Sequence, residues 1–164
     1  MRIETISVPS DIVFTSCAKA SRLSHRQKKT DFTLKEDIYF LQRLMLIGDS
    51  ESKSLRGLVV HYELTVPRYF WHEFVTYRIG NEQLGSESTM HSAPKFETEE
   101  EFLTWKREYK EGNEQTRIFM TSYPTLRRMY FDRRHHKLPE WKELCKWIEN
   151  LPYAQELITM EKDT

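Results

Sequence analysis

Two groups of side chains in this 164-residue chain have types and spacing suited to chemistry. The first is the cluster Arg127, Arg128, Arg133, Arg134, His135, His136 and Lys137. Arginine forks meet phosphate oxygens bidentately, so such a cluster suits a nucleotide phosphate. The plainer alternative is a solvated helix end, with cations placed at its negative dipole. The second group lies between Leu58 and His91, where a strand, a proline, an aromatic helix and a polar loop follow one another. Tyr69, Phe70, Trp71, Phe74 and Tyr77 stand there among His72, Glu73 and Arg78, and Asn81, Glu82, Ser86, Ser88 and His91 come after them. Rings beside a guanidinium could stack on a base and match its phosphate in charge. Here the plainer alternative is a core helix followed by an ordinary loop.

Other chemistries are set aside. The histidines 25, 61, 72, 91, 135 and 136 show neither HExxH nor zinc spacing with cysteine, so no metal is expected. Cys17 and Cys145 are too few for a disulfide scaffold and fit a reduced cytoplasm. Cys145 falls on an apolar helix stripe and reads as core rather than nucleophile. Ser86 and Ser88 lack a GxSxG context, which argues against a serine hydrolase. Five glycines, with no GxGxxG or GxxxxGKS run, exclude the usual phosphate loops. The 25 basic residues balance 25 acidic ones, which removes the electrostatic case for nucleic acid or an anionic membrane as partner. No apolar run approaches the roughly 18 residues of a membrane span, and the polar start lacks a signal peptide's core. Mean hydropathy is low at -0.69, yet 9 Phe, 8 Tyr and 4 Trp supply enough burial for an ordered domain.

The elements that must position these groups follow from periodicity. Arg2–Val8 reads as a short strand stopped by Pro9. Residues 11–30, basic at Arg22, His25, Arg26, Lys28 and Lys29, read as a solvated loop or exposed helix face. Thr33 and Glu36 make a capping box for a helix whose stripe is Ile38, Leu41, Leu44 and Met45, ending at Gly48. Leu58, Val60, Tyr62, Leu64 and Val66 alternate with polar positions, the clearest strand signal, and should form its buried face. This strand is expected to be flanked by the Thr33 helix and by a second helix from Arg68 to Ile79, opened by Pro67. Gly80–Pro94 reads as a long functional loop. Thr98 and Glu101 cap a further helix ending near Gly112, and Arg117–Met120 is a strand or tight connection. Pro124 and Pro139 start two more helices, and a short one follows Pro152. Helix-rich with few strands and no repeat or linker, the chain is expected to be one α+β domain.

The unit after Val66-Pro67 resembles the flavin-dependent thymidylate synthases, the ThyX family. Its YFWHEFVTYRIGNEQLGSEST is similar to a helix leading into R-H-R-x-x-S-x-N-E-x-S-x-R-Y, with Arg78 on the second Arg and Ser86 on the Ser after N-E. Upstream, LQRLMLIGDSESKSLRG looks like the helix ending in G-H-x-S-P-F-E-H. Downstream, Thr116-Arg117 is similar to E-x-A-R-x-x-L-P, and Leu126 and Arg133 keep the spacing of N-x-R-S-L-x-x-F-x-x-x-R. The resemblance spans about residues 33–137, in a member shortened before Gly112.

It implies a small sheet flanked by helices, with Arg78, Ser86, Ser88, Arg133 and Arg134 at a nucleotide, Ser86 as the catalytic group if turnover remains, and Arg133 pointing freely into the pocket. His72, Glu73, Tyr77, Asn81, Glu82 and His91 are the expected pocket lining. Family sites lie between subunits of a homotetramer, which implies an oligomer. The family reaction moves a methylene from methylene-tetrahydrofolate to dUMP and reduces it with flavin. The departures bear on FAD. Thr76 and Tyr77 replace the Arg and His of R-H-R, Gly57 the flavin-contacting His, and Leu84 the Glu. Ser88 and Thr89 replace Arg-Tyr, and Ser122 and Pro124 replace Asn and Arg. Lost charge-assisted bonds of roughly 1.5–3 kcal/mol each weaken a flavin diphosphate site. The leading expectation is therefore a nucleotide-binding protein diverged from synthase activity. An active synthase and a non-enzymatic interaction domain remain the alternatives.

Overall fold

Alternation along one strand decides the architecture. In this computed structural model, which describes residues 1–23, 31–88, 90 and 93–161, β2 spans Val59–Pro67. Leu58, Val60, Tyr62, Leu64 and Val66 are fully buried, the face that the sequence predicts. Burying each is worth about 1.5–3 kcal/mol. The other strands are β1 (Arg2–Ser7), β3 (Asn81–Ser86) and β4 (Glu114–Ser122), joined antiparallel in the order β1-β2-β4-β3. The helices are α1 (Asp11–Arg22), α2 (Leu34–Ile47), α3 (Arg68–Phe74), α4 (Glu99–Glu108), α5 (Tyr123–Arg133), α6 (Pro139–Glu149) and α7 (Ala154–Leu157), with a 3-10 turn at Ser52–Gly57. The class is α+β, as expected.

β2 pairs with β4 from Val59↔Ser122 to Pro67↔Glu114, which sets Phe119 and Thr121 on the buried face. Helices α3 and α6 cover that face. Phe74 meets Phe119 at 4.8 Å, Phe70 meets Trp141 at 4.6 Å, and Trp147 meets Tyr62 at 4.7 Å between centroids. An antiparallel sheet needs only one such covered face. With α3 and α6 in place, α2 packs instead against α1, the 3-10 turn and α7. The expectation that α2 flanks β2 is corrected accordingly. Its capping box holds, with Glu36 N donating to Thr33 Oγ1 at 3.3 Å, as does that of Thr98 and Glu101 on α4.

The N-terminal segment is a second correction. Residues 11–22 form α1, which buries Phe14, Cys17 and Ala18. Small Cys17 and Ala18 allow close approach, and a Cβ on Gly57 would stand 3.2 Å from Cys17 Sγ. The polar look of the segment hides Arg22, which pairs with buried Asp37 and lies 3.6 Å over the Phe32 ring. His25, Arg26, Lys28 and Lys29 lie outside the described residues.

Around the aromatic helix two expectations fail. α3 stops at Phe74 rather than Ile79, because Thr76 Oγ1 donates to Glu73 O at 2.7 Å and Tyr77 N to Phe74 O at 3.2 Å, tightening the last turn. Gly80–Pro94 does not run wholly as a loop, because β3 occupies its start. β3 pairs with β4 from Asn81↔Thr121 to Ser86↔Arg117, bulged between Gln83 and Gly85. The sequence NEQLGS has little strand propensity, and the ladder to β4 supplies what composition does not.

Gly80 makes this path possible. Its φ is +71°, and an added Cβ would lie 2.5 Å from Ser122 Oγ and 2.6 Å from Thr125 Oγ1. Gly112 has open space at the same point. Urea unfolding should show Gly80→Ala destabilised by about 1–3 kcal/mol, with Gly112→Ala close to wild type. Equal effects would remove Gly80 as the pivot into β3.

Candidate functional site

Helix α3 has two faces with different work. Tyr69, Phe70, Glu73 and Phe74 turn towards α6, where Phe70 and Phe74 lie 4.6 and 5.9 Å from the Trp141 ring. Arg68, Trp71, His72 and Val75 recur at i, i+3, i+4 and i+7 and line a cleft of about 300 Å³. Glu111, Gln115 and Arg117 complete the lining, the last two from β4. Backbone bonds lock the approach of this turn to α3. Arg68 N donates to Asn113 O at 3.0 Å and Tyr69 N to Glu111 O at 3.1 Å.

Arg117 is the chemical centre of the cleft. Its guanidinium lies 4.4 Å over the Trp71 ring. Nε and Nη2 donate to Gln115 Oε1 at 3.1 and 2.9 Å, and Nη1 donates to Gln83 Oε1 at 3.1 Å. Among the described residues it makes no ion pair. Burial, and then the charge of Arg68, lower its pKa from the ordinary value. Arg68 is 3.9 Å from Glu111, whose other oxygen lies 3.2 Å from His72 Nε2. A guanidinium resting on the buried Trp71 indole, with a second arginine beside it, suits an anionic group. The volume matches the lower end of small-molecule sites, roughly 300 Å³.

The sequence-predicted residues scatter around this cleft. His72 lines it, and Ser86 is the cross-strand partner of Arg117. Arg78 is exposed and makes no hydrogen bond or ion pair among the described residues. Glu82 is exposed on β3, and Ser88 Oγ accepts from Met90 N at 3.2 Å. His91 lies outside the described residues. Asn81 is a buried connector, donating to Tyr77 O at 2.9 Å and accepting from Thr121 Oγ1 at 2.6 Å.

Arg133 is not free, which corrects the sequence reading. Its Nη1 donates to Glu73 Oε2 at 2.8 Å and its Nε to Tyr77 Oη at 2.9 Å. It also lies 4.8 Å over the Trp141 ring. Arg134 is held by Glu161 at 2.6 Å. Half-buried Glu73 and buried Tyr77 are thus partners of α5 and α6, and burial raises the Tyr77 pKa. Cys145 is core, as expected, its thiol pushed up to about 11 chiefly by burial. No group of three or more His, Cys, Asp or Glu among the described residues could hold a metal ion. Sequence reasoning missed Arg68, Glu111, Gln115 and Arg117 as a site. The available signal was a charged Arg117 in register with apolar Phe119 on one strand face.

Comparison with solved structures decides the fold. A flavin-dependent thymidylate synthase ThyX from Helicobacter pylori, complexed with FAD and dUMP, matches with TM-score 0.72 at 15% identity, covering 97% of this chain and 98% of that one. The chain has the ThyX fold. A second H. pylori ThyX structure with FAD and dUMP matches at TM-score 0.69, with 15% identity and the same coverage of both chains. No protein-family model and no curated protein matches the sequence. Within the ThyX fold, the replaced positions are now visible. Tyr77 points inward to Arg133 and Asp132, Thr76 bonds its own helix, and Gly57 packs on Cys17.

Arg133→Ala should lower unfolding free energy by about 1–3 kcal/mol, because it strips a charge-assisted bond from Glu73. Arg128→Ala, exposed 5.3 Å from the Tyr77 ring, should cost less. Chemical denaturation of both variants measures the difference. A neutral Arg133→Ala would return that side chain to the pool of free cations.

Proposed function

We propose that this protein binds an anionic nucleotide in the cleft of Arg68, Trp71 and Arg117, and that it has diverged from thymidylate synthesis. One observation carries the reading: Arg117 is seated on an indole beside a second arginine, with no carboxylate paired to it among the described residues. Buried Trp71 is the floor on which the Arg117 guanidinium rests, and that guanidinium, with Arg68 beside it, supplies a phosphate subsite. The H. pylori neighbours, which hold dUMP and FAD, support a nucleotide as ligand of this fold.

FAD fits this chain poorly. At Gly57 any side chain would press on Cys17, and Tyr77 is already bonded inside the protein. The charges that the family resemblance implies for a flavin diphosphate are therefore not replaced at those positions. A retained synthase is the second reading, favoured by Ser86 standing opposite Arg117 in the sheet. The site is completed by a neighbouring copy in either case. Val75, Ile79 and Leu84 are 41%, 70% and 57% exposed beside edge strand β3, and Arg78 is unengaged among the described residues, so both remain open to a second subunit.

Calorimetry with dUMP and deoxyuridine tests the reading. Wild type should favour dUMP, and Arg117→Ala should lose roughly ten- to a hundredfold of that affinity. The purified protein should be colourless, since flavin absorbance would favour the synthase. Equal affinity for the two ligands, or an Arg117→Ala variant that binds like wild type, would remove the cleft as the site. No binding of either ligand would leave an interaction domain.

A further inference from the structure

Every arginine beside a carboxylate has part of its charge already answered. Arg22, Arg133 and Arg134 are in that state, paired with Asp37, Glu73 and Glu161. Arg117 differs. Three of its N–H groups are oriented, but the acceptors are the amide oxygens of Gln115 and Gln83. An amide oxygen fixes the direction of a guanidinium without cancelling its charge. The carboxylate within the cleft, Glu111, faces Arg68 and His72 instead. We propose that Gln83 and Gln115 are positioning residues that aim Arg117 while reserving its full charge for the phosphate of a bound ligand. The inference rests on the nucleotide reading above and names how that site holds its anion.

The two glutamines are not equivalent, and the difference makes the proposal testable. Gln115 Nε2 donates to Glu87 O at 2.9 Å, so its amide oxygen is forced towards Arg117 and its amide nitrogen has a structural use. A glutamate there would lose that bond and set two oxygens against each other. Gln83 carries no such explanation. It is exposed on β3, and among the described residues its Nε2 has no partner. On structural grounds alone a glutamate at this position would serve as well, or better, because it would keep the bond to Arg117 and add an ion pair.

The experiment titrates inorganic phosphate and, separately, dUMP into wild type, Gln83→Glu, Gln83→Ala and Gln115→Glu, following heat of binding, and measures urea unfolding of each. Gln83→Glu should bind phosphate at least fivefold more weakly while unfolding at the same or a higher urea concentration. Raising ionic strength should shrink that gap, because the added charge is screened. Gln83→Ala should lose less, since orientation weakens but no charge is answered. Gln115→Glu should lose phosphate affinity and some stability together. Phosphate binding by Gln83→Glu equal to wild type would overturn the inference, as would a wild type that binds no phosphate. If dUMP still binds in either case, the nucleotide reading survives alone. If dUMP fails as well, both fall.

Discussion

One carboxylate oxygen holds the working part of the molecule in register. Glu73 Oε2 accepts from Arg133 Nη1 at 2.8 Å and Trp141 Nε1 at 2.9 Å, and lies 3.3 Å from His136 Nε2. Leu138 N donates to His136 Nδ1 at 3.2 Å, which leaves the ring proton on Nε2, facing Glu73. Three donors from α5, the following turn and α6 therefore converge on a side chain of α3. That convergence fixes how α3 is rotated. Placing Glu73 towards α5 and α6 brings Phe70 and Phe74 onto Trp141, and it turns Arg68, His72 and Val75 outward as the wall of the cleft, above the buried Trp71. A helix of 7 residues is marginal on its own, so these bonds and the burial of Phe70, Trp71 and Phe74 together hold it in place.

The same constraint sorts the cations. Arg133 is used by Glu73, Arg134 by Glu161, and Arg127 by the carbonyls of Ile158 and Met160 at 2.6 and 2.7 Å. The arginine-rich cluster of α5 is thus largely architecture, binding the C-terminal segment and α3. Within the cleft the positive charge left for a ligand lies on Arg117 of β4, since Arg68 at the start of α3 faces Glu111 at 3.9 Å. A chain with zero formal net charge can still concentrate uncompensated charge in one cleft, and here the sheet does so by pairing Arg117 with amides.

What was legible in the sequence is what depends on near neighbours. Alternation from Leu58 to Val66 announced β2 and its buried face, and Thr33–Glu36 and Thr98–Glu101 announced two helix starts. The resemblance at Arg78 and Ser86 announced the fold. What was not legible depends on distant partners. β3 is a strand because β4 offers it a ladder, through Thr121 to Asn81, and nothing in NEQLGS says so. Arg133 looked free because Glu73, its counter-charge, lies 60 residues away. Arg68 and Arg117, 49 apart in number, become one site only when the turn before β4 is tied to the first N–H groups of α3. The histidine at 91 and the basic residues 25–29 stand outside what the described residues address.

The most direct test of this account is a structure determined with dUMP bound. The phosphate is expected within hydrogen-bonding distance of the Arg117 guanidinium, on the Arg68 side of the cleft, with Gln83 and Gln115 still bonded to Arg117 and the Glu73–Arg133 pair intact. A phosphate seated on Arg133 or Arg134, with Arg133 released from Glu73, would contradict it.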